Sequence, residues 1–441
     1  MSHLVYRISS HLCHTLESVP VGTNLALYTL TWSMLSGHFI RSYGAVTPSL
    51  VSFGLSREQT QRAVAALAYG KWKIEDLLSS NSTLILKEDR WKPHEYEGYR
   101  PVAADLTGFY RPQLKDNQGK HYEASAGRAL PAITLGICGL VGSLKEQRLA
   151  LPRIIMRPDK SDPRDSVLQK KLVKTASEGL AKNEALVVDA GFSLKELWEA
   201  DCSRFVVRLA KNDTARRNFL PTGKDRGRHK EYGEVVRPLP KAYAGKELSA
   251  TAPDKVMSWE YHGRTIRAEI WENLVGSNAK PGSNTFSIIA VYDPKYEEPL
   301  LLATNLKISA QSVWFLYKDR WGIEQVPLAG KKMLGGSHSF VHGEESRYRL
   351  PELVLFAGSL LSFIAASEDK IPTGYWDRNP GATIGRLRRY LSILHFSNLP
   401  KLDADGQIRE KKSVHEHLPK GVLGHRRQER CLEPETVQMA A

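Results

Sequence analysis

From residue 99 onward, short apolar runs rich in β-branched residues alternate with charged stretches of helical length. This alternation limits the fold more than any other feature of the chain. The runs 101–106, 131–141 and 149–156 come first, and Gly139, Gly142 and Ser143 punctuate the last two as a turn would. A charged stretch at 164–182 reads as a helix. The run 185–189 reads as a buried strand ending on an acid, Ser193 as the cap of a short helix, and 204–209 as a further strand. Three consecutive strands, then strands alternating with helices, imply a mixed α/β sheet flanked by helices.

Residues 210–285 break this rhythm. From Arg208 to Arg237 nine Lys/Arg stand against four Asp/Glu, and 256–270 alternates like a hairpin around His262, Gly263 and Arg264. The α/β pattern resumes with 286–292, a turn at Asp293-Pro294-Lys295, the run 299–303, and helices over 314–324 and 350–366. The basic, β-rich segment therefore reads as an insertion within one domain. Ahead of it, residues 1–98 look helical: Ser56 with Gln59 makes a capping box, and Ala63, Val64, Leu67 and Ala68 follow at helical spacing. Such a front domain is either a DNA-binding module or a packing and dimerisation bundle. The expected division is a helical domain at 1–98, a catalytic core at 99–209 and 286–368 around the insertion at 210–285, and a basic helix (384–394) with a polar tail in 369–441.

Charge narrows the partners. The 441 residues hold 62 Lys/Arg against 48 Asp/Glu, a net charge of +14, which suggests a polyanion, either nucleic acid or an anionic membrane. The longest apolar stretch, 353–367, falls short of the roughly 20 residues a spanning helix needs and reads as a buried core helix. No basic-then-apolar segment opens the sequence, so secretion is not expected. With 41% hydrophobic residues, wholesale disorder is excluded. Four scattered cysteines (Cys13, Cys138, Cys202, Cys431) make no C-x-x-C pair, which argues against a zinc site or a disulfide framework. A soluble cytoplasmic protein that handles nucleic acid, with no membrane partner, is the resulting expectation.

Three acids stand out by context: Asp105 in AADLTGFYR, Asp189 in LVVDAGFS and Glu324 in YKDRWGIEQ. An acid directly after a buried strand sits at the carboxyl edge of an open α/β sheet, where ligands bind. Three clustered carboxylates repel one another and call for Mg²⁺ or Mn²⁺, hard cations that take oxygen ligands. Two such ions about 3.5–4 Å apart can activate a water or hydroxyl and stabilise a leaving oxygen in phosphoryl transfer. The competing reading makes Asp105 a turn residue and Asp189 a helix-flanking acid. Tyr317, Arg320, Glu324 and Lys331 fit Y-x2-R-x3-E-x6-K, offsets that fall within about 60° of arc on one helix. Two cations, a phenol and a carboxylate on one stripe suit a phosphate backbone entering a metal site; the competing reading is a solvated face with i, i+4 pairing.

Taken in this order, the motifs resemble those of bacterial insertion-sequence transposases of the DDE superfamily, in the group marked by the Tyr-Arg-Glu-Lys signature. The resemblance covers roughly 99–366 and extends to DRGRHKEYG at 225–233 and to GRTIRAEIWENL in the insertion. It implies an RNase H-like core interrupted by a β-rich insertion, with Asp105, Asp189 and Glu324 holding a pair of Mg²⁺ (or Mn²⁺) ions. It further implies cleavage and strand joining at transposon ends on double-stranded DNA, by a homodimer when two ends are paired, in the bacterial cytoplasm at the nucleoid. Tyr317, Arg320 and Lys331 would contact phosphates, and Arg216, Arg217, Arg226 and Arg228 would grip DNA. Trp259 or Trp271 would stack on a flipped base, or else pack within a strand. One departure is Pro327, which falls between Glu324 and Lys331, where an uninterrupted helix is expected. Two alternatives stay open: a nuclease of the same fold that does not join strands, and an inactive DNA-binding derivative.

Overall fold

The computed structural model describes residues 2–114, 117–220, 230–243, 246–371 and 376–400. Six helices open the chain: α1 (Ser2–Thr15), α2 (Thr23–Leu35), α3 (His38–Arg41), α4 (Val46–Phe53), α5 (Arg57–Tyr69) and α6 (Ile74–Lys87). Strands β1 (Trp91–Pro93), β2 (Arg100–Tyr110), β3 (Lys120–Glu123), β4 (Arg128–Leu144) and β5 (Gln147–Met156) follow. Next come α7 (Asp165–Glu178), β6 (Glu184–Val188), α8 (Leu194–Glu199) and β7 (Phe205–Arg208). The intervening segment holds β8 (Ala215–Arg217), β9 (Val235–Val236), β10 (Lys241–Tyr243), β11 (Lys246–Leu248), β12 (Lys255–Tyr261) and β13 (Arg264–Gly276). The chain continues with β14 (Phe286–Tyr292), β15 (Leu300–Thr304), α9 (Ala310–Asp319), α10 (Trp321–Leu328), α11 (Ser346–Ser367) and α12 (Ile384–Leu391). The class is mixed α/β, as the alternation of apolar runs and charged stretches implies.

Two compact units share these elements. One comprises Met1–Lys92, Leu106–Leu168 and Gly322–Ala441; the other comprises Pro93–Asp105 and Gln169–Trp321. In the first unit β5 lies antiparallel on β4, and α6 and α11 pack against β5. α11 is the centre of this unit. Every residue from Leu350 to Ser367 is buried, against α2, α5, α6 and both strands, so the helix is apolar all round. It is the one helix among the described residues long and apolar enough to cross a membrane, and here it is enclosed by the fold. Its single charge in that run, Glu352, is clasped by Arg157 through Nε at 2.5 Å and Nη2 at 2.7 Å. Burial nevertheless holds this carboxyl above the usual carboxylate range.

Gly139 and Gly142 do not end β4, which runs through both to Leu144. The glycines serve close approach. A side chain on Gly142 would collide with the Lys92 carbonyl, its Cβ lying 2.1 Å away, and Gly139 faces the Leu151 carbonyl beside a bulge at Cys138/Gly139. The turn falls instead at Lys145, where φ is 55°.

The second unit is built on a mixed sheet in the order β2-β6-β7-β15-β14-β13-β8-β9, with β12 on the other side of β13. β2, β6 and β7 run parallel, and the pairs from β7 onward are antiparallel. α9 packs across β6 and β7, burying Val313, Trp314 and Leu316 with Val187, Val206 and Leu302. Local signals set the ends. Ser193 and Glu196 form a capping box that starts α8. The β12–β13 hairpin turns through His262 and Gly263, both at positive φ (48° and 71°), as a two-residue hairpin turn requires.

Candidate functional site

Backbone register brings two of the three acids together. In the parallel pair of β2 and β6, Arg100 is level with Glu184 and Ala103 with Val187. Carrying that offset forward sets Asp105 opposite Asp189, the residue after β6 ends. Level positions on neighbouring parallel strands lie about 4.8 Å apart and face the same side of the sheet. Asp189 occupies the carboxyl end of its strand, and its Oδ1 accepts a hydrogen bond from the Gly191 N–H at 2.9 Å, an Asx turn that lets the chain leave the sheet. Asp105 does not end its strand. β2 continues to Tyr110 because Leu106–Tyr110 remains extended, in the unit that contains β4, and Gly108 introduces no turn.

Two carboxylates on one strand edge are hard oxygen donors of the kind Mg²⁺ takes, and Mg²⁺ commonly uses only one or two protein carboxylates beside water and substrate phosphate. The Asp105–Asp189 pair fits one such ion. Among the described residues no group of three or more His, Cys, Asp or Glu side chains is placed to hold a metal. Glu324 lies in the first turn of α10, in the unit that contains β4 and α11.

The signature segment follows a helical path of changing pitch rather than one regular helix. α9 ends at Asp319, Arg320 caps it, α10 runs from Trp321 to Leu328, and Ala329–Met333 form a π-helical turn. Pro327 lies inside α10. It removes the N–H that would bond to the carbonyl four residues earlier, and the chain widens just after it. Packing favours the widened turn: Gly330 meets α11 at Gly358, where a side chain on Gly358 would sit 2.6 Å from the Gly330 nitrogen. Lys331 leaves this turn to donate from Nζ to the Gly108 carbonyl at 2.6 Å, and it lies 4.8 Å from the centre of the Phe109 ring. The signature lysine is therefore anchored on the DLTGF motif, three residues beyond Asp105. Tyr317 is buried in the core of its unit, and the Arg320 guanidinium lies 5.5 Å from its ring centre.

Other side chains with an expected DNA role are engaged within the fold. Arg217 grips Asp254 with both terminal nitrogens, at 2.6 and 2.7 Å, and this bond holds the Asp254 carboxyl below its ordinary range. Arg216 donates to the Ser277 and Gly233 carbonyls and lies over the Tyr232 ring. Arg226 and Arg228 fall outside the described residues. Trp271 is fully buried and donates its indole N–H to the Thr251 and Ala252 carbonyls. Trp259 packs against Trp314 at 5.6 Å between ring centres. For both tryptophans these contacts are those of strand packing.

Two acid–histidine pairs are not evident from the sequence. Asp319, wholly buried at the end of α9, takes the Tyr96 hydroxyl at 2.9 Å and lies 2.7 Å from His94 Nδ1, which fixes the residue before Arg320. Asp165, opening α7, lies 2.6 Å from His121 Nδ1 on β3. Partners so far apart in sequence leave no spacing signal. No protein-family model matches this chain, and no curated protein is significantly similar to it.

Proposed function

We propose that the chain is a DNA transposase of the DDE type, a Mg²⁺-dependent phosphoryl transferase with an RNase H-like core that cuts at transposon ends and joins them to target DNA. The observation that carries this reading is the level pairing of Asp105 with Asp189 on β2 and β6. The anchoring of Lys331 on the carbonyl of Gly108, in the same motif as Asp105, supports it. The net charge of +14 fits a polyanionic substrate.

In this mechanism Asp105 and Asp189 supply the carboxylate oxygens for the cation, and Glu324 supplies a third. When bound, Mg²⁺ lowers the pKa of a ligated water and neutralises charge on the scissile phosphate. Lys331 and Arg320 orient the phosphate backbone, so that attack and departure lie in line. The buried Asp319 holds the end of α9 and so fixes where Arg320 begins its reach. In strand transfer a freed 3′-hydroxyl replaces water as the nucleophile on a target phosphodiester.

The test uses the full chain with plasmid DNA in Mg²⁺, with EDTA as the control. Wild type should nick and then join strands. Glu324→Gln keeps size and removes charge; it should abolish nicking while leaving DNA binding nearly intact, because binding rests on cations elsewhere. Nicking at the parent rate by Glu324→Gln would remove Glu324 from the reading. Nicking without joining would favour the nuclease alternative, and no nicking in any divalent metal would favour the inactive derivative.

A further inference from the structure

The connection between α4 and α5 is three residues long: Gly54, Leu55 and Ser56. Its conformation is fixed at both ends. Gly54 adopts φ 100°, a left-handed value that suits glycine, and its N–H bonds to the Val51 carbonyl at 3.0 Å. The next N–H, of Leu55, reaches back to the Leu50 carbonyl at 3.1 Å, which closes α4 with the paired bonds of a Schellman end. Ser56 then opens α5 with a reciprocal cap: its hydroxyl accepts from the Gln59 N–H, and the Gln59 side-chain oxygen accepts from the Ser56 N–H at 2.8 Å.

Burial around this turn is specific. Ser49, Phe53, Leu55, Thr60 and Ala63 all point inward, five and one residues before the glycine and one, six and nine after it. α2, buried from Leu25 to Leu35, packs against both helices, so α2, α4 and α5 make a three-helix unit. On its outer face α5 presents Arg57, Gln61, Val64 and Ala65, all exposed, at i, i+4, i+7 and i+8. The one acid on the first turn, Glu58, is drawn back to the cap, where it accepts from the Ser56 hydroxyl at 2.9 Å.

We propose that α4, the glycine turn and α5 form a helix-turn-helix that reads duplex DNA in the major groove, with α5 as the reading helix. A short glycine-containing turn, a supporting helix behind, and a second helix with its N-terminal residues turned outward are the parts such a device needs. The exposed stripe supplies the chemistry of base readout. Arginine pairs with the O6 and N7 of guanine, glutamine with the N6 and N7 of adenine, and the methyls of Val64 and Ala65 match the thymine methyl. A packing or dimerisation face would instead expose a continuous apolar surface. The inference shares with the proposed function only its partner, DNA, and none of its chemistry.

The experiment selects duplexes from a pool with a randomised central segment, using the full chain in EDTA so that cleavage plays no part. Wild type should enrich one motif. Arg57→Ala and Gln61→Ala should each lose affinity for that motif by about tenfold or more, and each should relax a different base position. Affinity for the unselected pool should change less than about threefold, since phosphate contacts carry it. Both positions are exposed, and thermal melting checks that the variants remain folded. Failure of wild type to enrich any motif, or enrichment of the unchanged motif by the double variant, would overturn the inference. Either result leaves the catalytic reading standing, because that reading is judged by nicking in Mg²⁺.

Discussion

Asp105 and Asp189 owe their juxtaposition to strand register, whereas Tyr317, Arg320, Glu324 and Lys331 depend on a path that changes pitch twice. Register in a buried parallel pair is rigid: slipping by one residue would turn every side chain to the other face, and β6 is buried along its whole length. The signature segment has no such constraint. α9 ends at Asp319, Pro327 interrupts the hydrogen bonding of α10, and the π turn places Lys331 off the stripe that its spacing implies. Compensation comes from tertiary contacts, with Gly330 seated against Gly358 and Lys331 tied to Gly108. Register fixes position from within the sheet, and the helical segment takes its geometry from what surrounds it.

The largest expected effect tests the register side. Asp105→Asn and Asp189→Asn should each reduce Mg²⁺-dependent nicking by more than the roughly 10–100-fold that loss of an outer partner of a metal ligand costs. The double variant should be no worse than either single one, because the two carboxylates act as a unit. Both substitutions preserve shape, and the side-chain carbonyl introduced by Asp189→Asn could still accept from the Gly191 N–H, so circular dichroism should be unchanged. Additive losses, or a single variant that keeps half its activity, would show that level pairing alone does not make a site.

A smaller effect tests the helical side. Pro327→Ala restores the missing N–H and allows the turn after it to tighten toward a regular helix. Removing one residue's worth of widening rotates the downstream residues by about 100°, which would carry Lys331 away from Gly108. Nicking should fall about tenfold, comparable with the net value of one hydrogen bond to a charged group. Lys331→Met, which keeps the stem and removes the charge, should fall by a similar factor. Full activity in Pro327→Ala beside a damaged Lys331→Met would mean that the π turn does not set the lysine's place.

The same contrast decides what the sequence reveals. Caps and hairpins were legible where the interacting residues are neighbours: Ser56 with Gln59, Ser193 before α8, and His262-Gly263 between β12 and β13. Strand β14 was legible to the residue, since 286–292 is a bounded β-branched run. The acids were legible as strand-associated residues, but the end of β2 was not, because Leu106–Tyr110 carries no residue that forbids extension. Gly142 read as a turn because its neighbour in space, Lys92, is fifty residues away in the chain. Trp271 gave no sign that its indole serves two backbone carbonyls, since a buried and a projecting tryptophan look alike in sequence. Lys331 matched a spacing whose geometry Pro327 then altered, and its true partner, a carbonyl, has no sequence signature.

The smallest expected effect keeps acid titration of the site apart from acid loosening of the helices. His11 on α1 is buried, with Nε2 2.8 Å from Asn81 Oδ1, and Arg7, His14 and Glu88 are the charged and titratable groups acting on it. Burial lowers its pKa below the ordinary value, and burial does the same for His38. The folded protein therefore keeps these rings neutral where the unfolded chain binds protons. Above about pH 6.5 their contribution is constant; it is lost progressively as pH falls from there through the lowered folded values. One proton accounts for at most about 1.4 kcal/mol per pH unit. Wild type should thus melt a few degrees lower at pH 5.5 than at pH 7.5, and His11→Gln, whose amide can still donate to Asn81, should show a shallower decline. Nicking measured over the same range then separates the two regions. An acid loss of activity that shrinks in His11→Gln belongs to the helices around α1. A loss that is unchanged in His11→Gln, at pH values where the variant remains folded, belongs to the carboxylates of the strand pair.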